Sequence, residues 1–133
     1  MSAPWYGTST PAASTVASVV APAVTSSGTG LVPRCRTFSA SVAGTTTTSS
    51  TLQVSDGSTV ILSLDVAPPS GGGTFTIMSS GVFDYRSSVS ASGVANSLTI
   101  GFASGVAGIT QKVNAAGDFV ALGVAAFAMP QQS

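Results

Sequence analysis

Thr51-Leu-Gln-Val-Ser-Asp-Gly-Ser-Thr-Val-Ile-Leu-Ser-Leu-Asp-Val66 is followed by a Pro/Gly break and then by Gly73-Thr-Phe-Thr-Ile-Met-Ser-Ser-Gly-Val-Phe-Asp-Tyr-Arg86. Two alternating runs rich in β-branched residues flank Asp56-Gly57. This predicts a hairpin with strands over 51–55 and 58–66. Asp-Gly suits the centre of a type I′ turn, where both central residues need positive φ and the turn's twist matches that of the strands. Side chains alternate across a strand, so Val60, Leu62, Leu64 and Val66 are expected on one face and Ile61, Ser63 and Asp65 on the other. One wetter face is the mark of an antiparallel sheet.

The same alternation recurs outward from this hairpin. Phe38, Ala40 and Val42 share a face within 34–42, after Pro33. Phe75 and Ile77 oppose Thr74, Thr76 and Met78, and Phe83 and Tyr85 oppose Val82, Asp84 and Arg86. Leu98, Ile100 and Phe102 point one way within 97–103. A short strand is expected over 109–113, a turn at 114–117, and a long final strand over 118–129 that is apolar on both faces. No useful 3.6-residue stripe is present. Short strands separated by turn signals predict an all-β fold: an antiparallel β-sandwich or barrel, jelly-roll-like.

Residues 1–30 differ in character. Ser, Thr, Ala, Pro and Gly dominate, and such composition buries too little apolar surface to order itself. The expected organisation is therefore an extended N-terminal arm over 1–30 and a β domain over 31–133. Trp5 and Tyr6 are the natural anchors of the arm on a partner, because each ring joins a large apolar area to a polar tip. On this reading, deleting residues 1–30 leaves a folded domain that no longer assembles.

The chain has 133 residues, of which 6% are charged; an ordinary soluble domain has about 25%. Charge normally keeps a free monomer from associating, so the deficit implies a surface covered by neighbours. Only Arg34, Arg36, Arg86 and Lys112 are cationic, too few to grip a phosphate backbone, and no nucleic-acid partner is expected. Neither a secretory leader nor a membrane-spanning stretch is legible. Cys35 is the lone cysteine and reads as a small apolar strand residue.

Chemistry is equally sparse. Histidine is absent, which excludes Ser-His-Asp and Cys-His sites. The acids are Asp56, Asp65, Asp84 and Asp118, scattered where a calcium cage wants 6–8 oxygens. Asp56 and Asp118 are expected at turns, and Asp84 is expected to pair with Arg86 on a shared strand face. Gly71-Gly72-Gly73 lacks the Lys-Ser/Thr and helix of a phosphate loop. No catalytic residue, metal or cofactor is expected. The candidate interaction residues are Trp5, Tyr6, Phe83, Tyr85, Phe119 and Phe127, with Phe83 and Tyr85 also readable as core.

The segment Gly73-Thr-Phe-Thr-Ile-Met-Ser-Ser-Gly-Val-Phe-Asp-Tyr85 resembles the strand-Ser-Gly-strand segment of small bacteriophage head decoration proteins. That resemblance implies a non-enzymatic virion protein, made in the host cytoplasm. Its partners would be other copies of itself and a major capsid or tail protein, with no membrane involved. The alternative is an extracellular adhesin or carbohydrate-binding β-sandwich module, which the Ser/Thr/Gly richness fits equally well.

Overall fold

The computed structural model describes residues 4–21, 31–79, 85–87 and 96–121, with Ala121 described as backbone. These residues form β1 (Trp5–Ser9), β2 (Ser18–Val20), β3 (Leu31–Gly44), β4 (Ser50–Asp56), β5 (Thr59–Val66), β6 (Gly73–Met78), β7 (Tyr85–Arg86), β8 (Leu98–Phe102) and β9 (Thr110–Ala121). Every pairing among them is antiparallel. The chain is an all-β antiparallel sandwich.

The first sheet runs β1-β9-β3-β6, with β7 continuing the β6 edge along β3. The second runs β2-β8-β4-β5. These orders have a simple origin. The hairpin β4–β5 sits innermost, and β3 with β6, β2 with β8 and β1 with β9 pair around it as nested layers. Folding that nested ribbon across two sheets produces the jelly roll, the architecture shared by many viral capsid and lectin domains.

The central hairpin forms with a shifted turn. Asp56 pairs with Thr59 across Gly57-Ser58, and Gly57 alone has positive φ, 62°. Positive φ at the first central position belongs to the type II′ pattern, for which glycine is the favoured residue. Asp56 is not a turn residue because its carboxylate faces the core and accepts a 2.6 Å hydrogen bond from the Tyr85 hydroxyl. A register shift between Val54 and Ser55 makes Ile61 the extra residue of a bulge. Past a bulge the faces exchange. Val60 therefore joins Ser55 on the outer face, while Leu62, Leu64 and Val66 stay with Leu52 and Val54 on the inner one.

Two further expectations are corrected. Residues 114–117 are not a turn: β9 runs straight through them, paired with β1 on one side and β3 on the other. Central position outweighs the turn preference of Asn and Gly, since both edges of the strand are hydrogen-bonded. Nor are residues 4–21 an arm reaching away from the domain. β1 and β2 close the two sheets at one side, and Trp5, Ala17, Val19 and Ala21 lie in the core. A composition rich in Ser, Thr, Ala and Pro does not prevent this, because strand pairing requires only every second side chain to be apolar or small. Residues 122–129 of the expected final strand lie outside the described residues.

The core fills the space between the sheets. Phe38, Ala40, Val42 and Val113 of the first sheet meet Leu52, Val54, Leu98 and Ile100 of the second. Cys35 is buried there, its thiol donating to the Thr37 carbonyl at 3.5 Å. Gln111 on β9 is the largest polar side chain buried with them among the described residues, and it is fully enclosed. Its Oε1 accepts from the Ala17 backbone N–H at 3.0 Å. Its Nε2 donates to the Ser104 carbonyl at 2.9 Å and the Ser50 hydroxyl at 3.3 Å. One amide thus ties β9 to the approach to β2, to β4 and to the loop after β8. Replacing it strands buried backbone groups, each costing about 1–3 kcal/mol. Gln111→Leu is expected to lower stability by about 2–4 kcal/mol, measured as an earlier urea midpoint with an unchanged slope.

Candidate functional site

β1 alternates strictly, and that alternation divides the two expected anchors. Trp5 turns inward over Gly117, its register partner, and its Nε1 donates to the Asp118 carbonyl at 3.1 Å. It is a core residue, unavailable to a partner. Tyr6 turns outward and is 82% exposed. Of the other candidates, Tyr85 is buried against Asp56, and Phe119 is half-buried against the core. Phe83 and Phe127 lie outside the described residues, as does Asp84 of the expected pair with Arg86. The described candidates do not gather into one site.

What the fold does assemble is the outer face of the first sheet. Register places side chains on it in rows. Tyr6, Ala116 and Thr37 form one row; Thr8, Asn114, Ser39 and Met78 form the next. Tyr6 and Met78, the latter 74% exposed, stand at opposite edges. Between them the small side chain of Ala116 leaves a shallow open trough of ≈ 440 Å³. The Thr8 hydroxyl donates to Asn114 Oδ1 at 2.6 Å, and Asn114 Nδ2 reaches Ser39 Oγ at 3.5 Å. A row of hydroxyl and amide groups therefore crosses the floor.

One end of this face is ionic. Asp118 lies within β9, not at a turn, and receives Arg34 Nε and Nη2 at 3.0 Å each. Arg36 Nη1 approaches the same carboxylate at 3.5 Å. Both members of the Arg34–Asp118 pair are largely buried, and bidentate geometry adds direction to the attraction. Burial strengthens the attraction but also adds a desolvation cost, which the two hydrogen bonds offset, so the pair acts chiefly to fix geometry. It sits where β3 bulges between Cys35 and Thr37, clamping the central strands at their most irregular point.

Chemically, the trough offers a ring, a thioether, hydroxyls and an amide. Such groups make contact surfaces: the ring and thioether supply apolar area, and the polar row fixes orientation. No group of three or more His, Cys, Asp and Glu side chains that could hold a metal is found among the described residues. No helix among them is long and apolar enough to cross a membrane. Met78 and Asn114 had no distinguishing signal in the sequence, because their importance comes from neighbours three strands wide.

No protein-family model and no curated protein matches the chain. Among solved structures, a chain from one described as a Nora virus structure overlaps it with 15% identity and a TM-score of 0.27. The overlap covers 99% of this chain and 59% of the other, so this chain spans less than two thirds of that one. Identity and geometry are both too loosely shared for any activity or partner to transfer between the two.

Proposed function

We propose that this chain is a non-enzymatic structural subunit of a virion: a capsid decoration or cement protein, or another capsid- or tail-associated subunit. The nested strand order carries the reading, because the two-sheet roll recurs in viral capsid and lectin domains. Surface chemistry supports the capsid side. Charges are few, and large apolar side chains such as Tyr6, Met78 and Val20 are exposed on the sheet faces. Surfaces of this kind serve by being covered, and interfaces of about 1,200–2,000 Å² repeated by symmetry would stabilise a shell. With residues 4–21 built into the sheets, contact falls to the faces and edges of the sandwich. Partners are other copies and a major capsid or tail protein, with neither nucleic acid nor membrane required.

The test is the mass of the purified full chain by sedimentation velocity over a wide concentration range, alongside electron microscopy. Concentration-dependent growth into particles is expected. A monomer at every concentration, with no binding to shells, would remove the proposal.

The exposed Tyr6 ring beside the Thr8–Asn114 hydrogen bond favours a second reading, a carbohydrate-binding module. An aromatic platform flanked by an amide is a suitable sugar surface. Saturable glycan-array binding by a monomer, lost in Tyr6→Ala, would select it.

A further inference from the structure

All four cations of the chain, Arg34, Arg36, Arg86 and Lys112, lie on the outer side of the first sheet. Arg34 and Arg86 are register partners there, Arg36 occupies the bulge beside Asp118, and Lys112 stands opposite Ser41. Asp118 engages the arginine end through Arg34 and Arg36. Lys112 is three rows from that end, exposed, and forms no ion pair among the described residues. The second sheet is the opposite case. Its outer face carries Asp65 and no cation, and the Asp65 carboxylate is engaged only by the exposed Thr51 hydroxyl, at 2.8 Å, among the described residues. Two unmatched ions of opposite sign therefore stand on opposite faces of one molecule.

The faces also match in width and in apolar character. Each spans four strand positions, about 14 Å across at the usual interstrand spacing. Each carries exposed apolar side chains at its two edges: Tyr6 and Met78 on the first sheet, Val20 and Val60 on the second. Hydroxyl, amide and small residues fill the middle of both. Two cationic faces would repel, so a symmetric pairing of the first sheet with itself is disfavoured.

We propose that copies of this chain stack head to tail, the outer face of the first sheet of one copy on the outer face of the second sheet of the next, with Lys112 meeting Asp65 of that next copy. The occupant is a second copy, argued from charge and width. A contact between unlike faces leaves one of each free, so it propagates into a ring or filament. This inference rests on the structural-subunit reading and names the partner face within it.

The experiment compares the full chain with Lys112→Asp and Asp65→Lys by sedimentation velocity, with thermal melts as the control for folding. Each single variant should associate about tenfold more weakly or worse, since it sets like charges opposite each other. The double variant, and an equimolar mixture of the two single variants, should recover association, because both restore opposite charges at the junction. Wild-type association unaltered by either reversal, or folded variants not rescued by the double exchange, would overturn the stacking and leave the subunit reading standing. A wild-type chain that stays monomeric would overturn both.

Discussion

A chain lacking residues 1–30 is expected to lose its cooperative fold, not merely its capacity to assemble. The deletion removes β1 and β2, uncovering one edge of β9 and one of β8. It also removes Trp5 and Val19 from the core. Loss of a buried Trp side chain costs about 3–5 kcal/mol and of a buried Val about 1.5–3 kcal/mol. Backbone hydrogen bonds of two strands go with them, at about 0.5–1.5 kcal/mol net apiece. Together these reach the ~5–15 kcal/mol that hold a whole domain folded. Far-UV circular dichroism and thermal melting decide the matter: a flat melt is expected, and a sharp transition near that of the full chain would contradict the placement of β1 and β2.

Gly117→Val is expected to be comparably severe. Gly117 lies on β9 between Trp5 of β1 and Cys35 of β3, next to the bulge. A Cβ there would run into the Arg34 backbone carbonyl and the Trp5 ring. A flexible side chain could step aside, but a carbonyl in a paired strand cannot move without taking β3 with it. Ordinary overpacking costs about 1–3 kcal/mol; a collision with backbone at the centre of a sheet belongs to the rare class beyond about 4 kcal/mol. Denaturant unfolding should show a loss of at least that size or no folded protein. A loss below about 1 kcal/mol would mean that the two central strands are more loosely joined than described.

The inner hairpin was readable because its two determinants are local: alternation, and a glycine able to take positive φ. Even there, the inward turn of Asp56 depends on Tyr85, some thirty positions away, and the bulge at Ile61 leaves no mark in the alternation, so the facing of Val60 and the turn type are not legible from the hairpin alone. β1 and β2 were hidden by composition. Their Ser, Thr and Pro content looks unfoldable in aggregate, yet Ala17, Val19 and Ala21 carry a period of two, which was the available signal. Residues 114–117 misled for the opposite reason: Asn and Gly favour turns in isolation, and only pairing on both sides holds them extended. Gln111 had no signal at all, since a polar residue on an inner face is recognised only by the groups it satisfies. The expected surface aromatics were divided by a one-residue alternation, Trp5 in and Tyr6 out, which a list of aromatic positions does not resolve.

The pairing of β1 with β9 sets the order in which the molecule can be made. During synthesis the first strand emerges long before the one it must lie beside, and Trp5 has no seat until Gly117 arrives. The early segments must wait in the open, while β4 and β5, neighbours in sequence, can pair as soon as they emerge. Topologies dominated by such distant partners mature in milliseconds to seconds, not microseconds, and their unfinished edges are the stage at which chains stick to one another. In a polypeptide with so few charges to keep nascent copies apart, success would depend on the rate of closure as much as on the stability of the finished roll.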